Sequence, residues 1–212
     1  MRIIKPCVKT LTPPRPAEEL YAEVELAGRT CYKSTRKAGQ TAEDFIRSAI
    51  KRGHESILEH SKVSLVFVCD RGVSHEIVRH RIASYSQEST RYCNYSNDQF
   101  NGEITVIEPN FLVKGSAGYR MWKKACEFSE TAYFDMLDEG FSPQQARSVL
   151  PNSLKTEIVV TMNIREWRHF LNLRYFGNAG APHPQMVEVA ELAYKFLMCH
   201  YPAFFEDLKK AK

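Results

Sequence analysis

The sequence lacks the features that mark membrane proteins, secreted proteins and the commonest nucleotide-binding folds. Its longest uninterrupted apolar run, from Leu65 to Cys69, is too short to cross a bilayer. The N-terminal stretch MRIIKPCVKT contains no apolar segment of signal-peptide length. No G-x-G-x-x-G follows a predicted strand and no G-x-x-x-x-G-K-S/T occurs, so neither a Rossmann site nor a P-loop is indicated. We therefore expect a cytoplasmic protein with no membrane partner, in which side chains hold any bound nucleotide.

Paired cysteines and a strong excess of one charge are also missing. The 212 residues carry 29 Lys and Arg against 25 Asp and Glu, a net charge of +4, so no broad basic face for a nucleic-acid backbone is required. The 6 cysteines allow disulfides, but none forms a C-x-x-C pair, and without a secretion signal we expect free thiols. An apolar share of 43% and a charged share of 25% are typical of a folded globular protein. Its length suits one domain or two small ones, and we expect a single domain over residues 1–212.

Hydrophobic periodicity predicts a mixture of helices and strands. Apolar residues at three- and four-residue steps predict helices at Ala17–Cys31, Ala42–Lys51, Gly72–Arg81, Tyr119–Leu137, from Ser142 onward, at Arg165–Arg174 and around Met186–Leu197. Alternating or β-branched segments predict strands at Ile3–Val8, Ser61–Cys69, Ile104–Ile107 and Glu157–Met162. The polar segment Ser84–Asn101 is predicted to be a long ordered loop. Because strict βαβ alternation is missing, we expect an α+β fold rather than a doubly wound one.

One polar segment holds most of the residues suited to chemistry. Residues 79–92 read RHRIASYSQESTRY and combine arginines, a histidine and the hydroxyls of Ser84, Ser86, Ser89 and Thr90. Arginine offers a planar fork of donors that fits a phosphate, and histidine titrates near neutrality, so the segment suits an anionic small molecule. The same basic cluster also fits a helix C-terminus, whose dipole stabilises each cation by roughly 0.3–1 kcal/mol. Composition alone does not separate these two interpretations.

The spacing within this segment is similar to the defining motif of a known enzyme family. The pattern R-H-R-x-x-S-x-x-x-x-S-x-R resembles that of the flavin-dependent thymidylate synthases, the ThyX family, and falls on Arg79, His80, Arg81, Ser84, Ser89 and Arg91. Further elements follow in the family's order: His54-Glu55-Ser56, Glu59-His60, Arg147 before Leu150-Pro151, Asn163-x-Arg165 and Phe170–Arg174. Two positions depart from the family pattern, because Ser86 replaces its Asn and Gln87 replaces its Glu. The family's H-x-Q element corresponds to His183-Pro184-Gln185, after a longer insertion.

The resemblance implies a fold, a reaction and an assembly. The fold would be a ThyX-like α+β fold, a single domain with an antiparallel sheet flanked by several helices. The reaction would convert dUMP to dTMP, with methylenetetrahydrofolate as carbon donor and FAD, reduced by NADPH, as hydride donor. The protein would supply orientation and electrostatics to that chemistry. It would work as a homotetramer with shared active sites, and neither nucleic acid nor a metal would occupy them.

The resemblance also implies roles for individual residues. Contacts with dUMP are expected from Glu76, Ile77, Val78, Arg79, Gln87, Glu88, Ser89, Thr90, Arg91, Arg147 and Arg174. Contacts with FAD are expected from His54, Ser56, Arg79, His80, Arg81, Gln87, Asn163, Arg165 and His169. Arg174 is the leading catalytic candidate, since a cation beside the pyrimidine stabilises the charge that develops when N3 ionises. Ser89 is the second, and we favour an orienting hydroxyl over a nucleophile because no activating base stands at a fixed spacing.

Two other functions remain open on the sequence alone. A nucleic-acid-binding module would combine three arginines of the motif with stacking groups from Tyr85, Tyr92 and Tyr95. Such a module would bind single strands with a steep salt dependence. A metal-dependent hydrolase would use His54, Glu55, His60 and His75, although their spacing is not the H-E-x-x-H of the zincins.

Overall fold

The computed structural model describes residues 1–210, and in that part of the chain two sheets are surrounded by seven α-helices. The strands are β1 (Arg2–Ile4), β2 (Cys7–Thr10), β3 (Lys62–Asp70), β4 (Ala83–Gln87), β5 (Thr105–Ile107) and β6 (Lys155–Asn163). The helices are α1 (Ala17–Tyr32), α2 (Ala42–Lys51), α3 (Arg71–Ile77), α4 (Ala117–Asp138), α5 (Pro143–Ala146), α6 (Ile164–Arg174) and α7 (Pro184–His200). Short 3₁₀ turns occupy Glu55–His60, Asp98–Phe100, Arg147–Val149 and Pro202–Phe204.

The larger sheet has four antiparallel strands in the order β2–β3–β6–β4. Its central pair runs from Lys62 opposite Asn163 to Asp70 opposite Lys155. Helices α3 and α6 therefore begin at opposite ends of the sheet, since β3 leads into α3 and β6 leads into α6. Strand β4 begins with Ala83 near the end where α6 starts. The chain between α3 and β4 thus returns to that end, and this path brings the basic motif to α6.

The main core lies between this sheet and the helices α1, α6 and α7. Trp167 and Phe170 of α6 lie against Phe67 of β3, with ring centres 6.2 and 6.0 Å apart. The Trp167 indole also donates to the Val63 carbonyl at 3.0 Å, so this buried nitrogen has a partner. A second apolar cluster packs β5 against α4, and β1 pairs with β5 in parallel. The helix α6 is consequently fixed on the sheet at its middle, with both ends free to carry polar groups.

The predicted α+β class with an antiparallel sheet is confirmed, and most of the predicted helices and strands are present. The single strand predicted at Ile3–Val8 is wrong, because the chain forms two strands there that pair with different partners. Pro6 lies between them and cannot donate a backbone hydrogen bond to either ladder. The helix predicted at Gly72–Arg81 is too long, since α3 ends at Ile77.

The polar segment predicted as a loop also contains a strand. Residues 83–87 form β4, which pairs with β6 at the edge of the sheet and leaves Ser84 and Ser86 exposed. An edge strand needs only one partner and one half-buried face, so it tolerates a polar composition that hides it from periodicity analysis. The remainder of the predicted loop is irregular apart from the short turn at Asp98–Phe100.

The structure also describes the state of the cysteines and the apolarity of the helices. All six cysteines are free thiols in the structure, and burial raises the pKa of Cys69 and Cys126 above the ordinary thiol range. Both side chains act as small apolar groups of the core. Within residues 1–210, no helix combines the length and the apolarity needed to cross a membrane.

The buried guanidinium of Arg168 gives a test of what holds the C-terminal segment on α6. Arg168 is 4% exposed and donates to the Phe204 carbonyl, to Asp207 at 2.7 and 2.8 Å and to Glu55 at 3.1 Å. Arg168→Ala leaves two carboxylates without their partner. Because both remain partly hydrated, we expect a loss at the low end for buried pairs, about 3 kcal/mol of unfolding free energy measured by denaturant titration.

An exposed arginine provides the matched control for this variant. Arg47 is paired with Glu43 and Glu206 at the surface, so Arg47→Ala should change the unfolding free energy by less than about 1 kcal/mol. Losses of equal size in the two variants would contradict the structural role given to Arg168.

Candidate active site

A chain of polar contacts connects α3, the turn that follows it, and α6. His80 is 4% exposed, and its Nδ1 lies 2.9 Å from a carboxylate oxygen of Glu166. Its Nε2 accepts a hydrogen bond from Nε of Arg174 at 3.3 Å. The guanidinium of Arg174 also donates to the carboxylate of Glu76 at 2.8 Å and to the Glu76 carbonyl at 3.2 Å. The structure therefore brings together Arg174, Glu76 and His80, three residues that the sequence assigned to one site.

The turn that carries His80 is held by β4. The hydroxyl of Tyr85 donates to the Ile77 carbonyl at 3.0 Å and also to the His80 carbonyl. These bonds satisfy backbone oxygens at the end of α3 that have no partner within the helix. The side chain of Ile77 is buried in the core, so only its backbone faces the site, whereas Val78 is exposed. Arg79 and Arg81, on either side of His80, are exposed.

The contacts of His80 fix the position of its proton. A guanidinium can only donate, so the Nε2 that faces Arg174 must be the unprotonated nitrogen of the ring. The proton is therefore on Nδ1 and is donated to Glu166. Burial lowers the pKa of His80, and the neighbouring Arg174 lowers it further, against an opposing effect of Glu166. The ring is consequently neutral near pH 7.

His80, Glu166 and His169 also form a group whose potential ligand atoms lie within 4.8 Å of one another. In the arrangement described, the nitrogen of His80 that faces Glu166 carries a proton and is not available as a ligand. In the part of the chain that the structure describes, this is the only such group, and it contains none of His54, His60 and His75. The geometry therefore does not favour the metal-dependent hydrolase considered from the sequence.

A cationic cavity of about 230 Å³ lies at the start of α3, the helix that also carries Glu76. Its lining includes Arg71, His75, Thr90 and Arg147, and Arg147 donates to the Thr90 hydroxyl at 3.3 Å. Two guanidinium groups and a hydroxyl in one concave surface suit an anion with several oxygens. The sequence assigned Thr90 and Arg147 to such a role but missed Arg71, which stands before the motif and carries no spacing signal of its own.

The remaining residues of the motif are held by local contacts. The Ser89 hydroxyl accepts from the Arg91 amide at 3.3 Å, and the exposed Arg91 side chain reaches Gln144 at 3.5 Å. The carboxylate of Glu88 is engaged by Lys155 at 2.9 Å and by the Tyr95 hydroxyl at 3.4 Å. Its backbone N–H donates to the Glu157 carbonyl at 2.8 Å and its carbonyl accepts from Arg71 at 3.3 Å, so both the side chain and the backbone of Glu88 serve the fold in this arrangement.

The amide of Gln87 is also committed to the fold. Its nitrogen donates to the hydroxyls of Ser74 at 2.9 Å and Thr156 at 3.2 Å. The Ser74 hydroxyl already donates to the Arg71 carbonyl at 2.9 Å, so it can only accept from residue 87. An amide supplies the needed donor and a carboxylate does not, which gives a physical reason for Gln at this position.

A larger cavity of about 490 Å³ lies at the N-terminal end of α6. Asn163, Arg165, Glu166 and His169 line it. The Asn163 side chain accepts from the Glu166 amide at 2.8 Å and so caps the helix, and Arg165 forms an ion pair with Glu59 at 2.6 Å. His169 stands 5.6 Å from the His80 ring, measured between ring centres. This cavity therefore adjoins the contact chain through Glu166 and the two histidine rings.

Two other predicted elements line separate cavities. His54 and Ser56 border a cleft of about 700 Å³ between α1 and α2, apart from the Arg174 group within one chain. His183 and Gln185 line a cavity of about 230 Å³ that also includes Glu76. Gln185 donates to the Asp70 carboxylate at 2.7 Å, so the H-x-Q element reaches the neighbourhood of α3.

The tyrosines proposed as stacking groups for nucleic acid are not arranged as a platform. Tyr95 is 4% exposed, and Tyr85 is half-buried with its hydroxyl on the turn after α3. Tyr92 alone among the three is exposed. Base stacking needs open ring faces, so the geometry does not favour the nucleic-acid interpretation.

Comparison with known proteins identifies the family of the chain. A family model described as thymidylate synthase complementing protein (Thy1) matches residues 17–203. The chain belongs to the Thy1 family. Flavin-dependent thymidylate synthases of Pyrococcus furiosus and Mycobacterium sp. (strain JLS) are 37% and 35% identical to it, over 169 and 217 residues. These alignments cover 77% and 91% of this chain and 66% and 82% of the two relatives, so the chain spans about two thirds of the Pyrococcus protein.

A solved structure shares the fold of the chain. The UMP/dUMP methylase PolB from Streptomyces cacaoi, determined with 5-Br UMP, superposes with a TM-score of 0.76 at 22% sequence identity. The match covers 97% of this chain and 94% of that chain. The family predicted from the R-H-R motif is confirmed, and the Thy1 fold accounts for the order of the elements around the antiparallel sheet.

The two departures from the Thy1 motif can be tested directly. In Gln87→Glu the carboxylate faces the Ser74 oxygen that cannot donate, so we expect a loss of about 1 kcal/mol of unfolding free energy at pH 7. The same contact raises the pKa of the introduced carboxyl in the folded state. The loss should therefore shrink as the pH falls toward the ordinary Glu pKa of about 4.3.

Ser86→Asn is the control for this substitution, because Ser86 is exposed on β4. It should leave the unfolding free energy within about 0.5 kcal/mol of the wild-type value. A Gln87→Glu protein that is more stable than wild type at pH 7 would show that attraction by the nearby Arg71 dominates instead.

Proposed function

We propose that this chain is a flavin-dependent thymidylate synthase. It would convert dUMP to dTMP with methylenetetrahydrofolate as carbon donor and with FAD, reduced by NADPH, as hydride donor. The observation that carries the proposal is the guanidinium of Arg174, held on His80 and on Glu76 of α3, the helix whose first turns line a cationic cavity. Membership of the Thy1 family and the names of the curated relatives support the same reaction.

The bonds of Arg174 leave part of its hydrogen-bonding capacity for a substrate. A guanidinium has five N–H groups, and three of those of Arg174 are used by His80 and by the two oxygens of Glu76. The others can donate to a carbonyl of a uracil and, once N3 has lost its proton, to N3 itself. When N3 ionises, a fixed cation at this place stabilises the charge and makes C5 more nucleophilic. Arg174 is therefore our catalytic residue, and Ser89 serves as an orienting hydroxyl.

The cationic cavity suits the phosphate of the same nucleotide. Arg147, Thr90 and Arg71 surround it, and the adjoining Ser89 and Arg91 supply a further hydroxyl and a further cation. Thr90 is buried and Arg71 is partly buried, whereas Arg147 is exposed, so the cavity presents its cations at a partly hydrated surface that an anion can reach. Glu76 and the cavity residues Arg71 and His75 belong to the same helix, α3, so a nucleotide with its base on Arg174 can direct its phosphate along α3 toward this cavity.

The cavity at the start of α6 fits the flavin. Arg165 lines this cavity, and the exposed Arg79 and Arg81 flank His80, so these cations are suited to its diphosphate. Asn163 and His169 offer polar atoms to the ring system, while both ring nitrogens of His80 are engaged by Glu166 and Arg174. When bound, FAD supplies the hydride, and the residues of this chain hold and orient it. His80 and Glu166 adjoin both this cavity and Arg174, so the two ligands would meet at that point.

We also propose a homotetramer with shared active sites, located in the cytoplasm. Several large apolar side chains are exposed on one chain, among them Leu26, Tyr32, Tyr92, Met121 and Phe128. Exposed apolar surface of this kind is typical of subunit contacts. The cleft with His54 and Ser56 lies apart from Arg174 within one chain, which supports completion of the site by another subunit. Six free thiols suit a reducing compartment such as the cytoplasm.

The homotetramer is tested by light scattering, which should give four times the chain mass of 24.4 kDa.

The reaction is tested with purified protein, added FAD, NADPH, methylenetetrahydrofolate and dUMP tritiated at C5. Wild type should bind FAD and release tritium to water. Arg174→Ala should lower kcat roughly 10²–10³-fold, the range seen when a donor to a developing anion is removed, while its FAD content stays unchanged. The surface variant Arg47→Ala should match wild type in both measurements. Wild-type protein that binds no FAD, or an Arg174→Ala protein that loses FAD and turnover in parallel, would contradict the proposal.

A further inference from the structure

The buried carboxylate of Glu166 lies outside the motif, and among residues 1–210 no Lys or Arg forms an ion pair with it. Glu166 is 8% exposed on the first turn of α6, and its side chain contacts Nδ1 of His80. A buried carboxylate is destabilising unless it accepts hydrogen bonds, so this contact accounts for its presence in a place where an apolar residue would fit. The flavin and nucleotide residues assigned from the sequence do not include it.

The hydrogen bonds around Glu166 allow only one assignment of donors and acceptors. Nδ1–H of His80 donates to Glu166, and this leaves Nε2 of the ring to accept from Nε–H of Arg174. Arg174 in turn donates to Glu76. If His80 carried its proton on Nε2 instead, two donors would face each other across the 3.3 Å between His80 and Arg174. The carboxylate of Glu166 excludes that tautomer because it accepts and does not donate.

We propose that Glu166 is a positioning residue that holds Arg174 in place by fixing the tautomer of His80. This inference rests on the proposed function, since it concerns the orientation of the guanidinium that would bind the uracil. Glu166 and Arg174 each bond to His80, on opposite ring nitrogens, so Glu166 acts on Arg174 through the imidazole ring. In the same way, the buried aspartate of a Ser-His-Asp triad orients its histidine toward a second partner.

The groups packed around His80 are consistent with this role. Phe170 lies edge-on to the ring with centres 5.1 Å apart, and His169 stands at 5.6 Å. From β4, Tyr85 donates to the His80 carbonyl and not to the ring. The charged groups that face the ring are therefore Glu166 on one side and Arg174, with Glu76 behind it, on the other. The tautomer is set by these two ring contacts.

The tautomer can be measured directly by nitrogen NMR of the full-length protein labelled with ¹⁵N-histidine. In wild type at neutral pH, the signal of His80, assigned by its loss in His80→Asn, should show a protonated Nδ1 and an unprotonated Nε2. Glu166→Gln keeps an oxygen that can accept from Nδ1, so it should keep this pattern. Glu166→Leu should lose it and give a mixture or the opposite tautomer.

The kinetic consequence separates positioning from general stability. Glu166→Leu should lower kcat about tenfold, the size expected for loss of one hydrogen bond to a charged group. The rates are compared on FAD-loaded protein, because Glu166 lines the flavin cavity. The KM for dUMP should change less than threefold, because the residues proposed to bind dUMP remain. Glu166→Gln should recover most of kcat. Glu191→Gln, which alters an exposed carboxylate paired with Lys195, is the matched control and should behave as wild type.

The outcomes distinguish this inference from the proposed function. An Nε2-protonated His80 in wild type would overturn the positioning role whether or not any variant folds. An unchanged tautomer and unchanged kcat in a folded Glu166→Leu protein would overturn it as well. Failure of wild type to release tritium would instead reject the proposed reaction, while the tautomer measurement would still report on the contact between Glu166, His80 and Arg174.

Discussion

The hydrogen bond between His80 and Arg174 is the constraint on which the arrangement of the site depends. It connects the turn after α3 to the last turn of α6, two segments that are 94 positions apart in the sequence. Because a guanidinium can only donate, the bond fixes the protonation of the imidazole, and through it the orientation of Glu166. This one contact therefore fixes the tautomer of His80 and the orientation of the Arg174 guanidinium, and it determines how close the two cavities lie.

The sheet makes this contact possible. Strands β3 and β6 pair over their whole length, so the helices that follow them start at opposite ends and run back across the same face. Trp167 and Phe170 fix α6 on the sheet through Phe67, and Tyr85 fixes the turn that carries His80. The polar residues at the site sit on elements whose positions are determined by packing. A rigid support of this kind allows a cation to be held ready for charge that develops during reaction.

Sequence reasoning recovered the family, the fold class and many residues near the site, because the R-H-R motif has fixed spacing and the long helices have clear periodicity. It did not find Glu166, since a Glu three residues after an Asn helix cap is explained by capping and by the helix dipole alone. It missed β4 because an edge strand with exposed serines has no apolar alternation. Nor could it separate the cleft at His54 and Ser56 from Arg174, since that distance depends on long-range packing.

The most direct test of the central claim is the absorption spectrum of the FAD-loaded protein on addition of dUMP. If the uracil binds Arg174 while the flavin lies against His80 and His169, the nucleotide and the flavin adjoin within the same contact chain. We predict that dUMP shifts the visible flavin bands of wild type, with a saturable dependence on dUMP concentration, and that deoxyuridine at the same concentrations does not. A flavin spectrum unchanged at saturating dUMP, with binding confirmed by calorimetry, would contradict the placement of both ligands around His80.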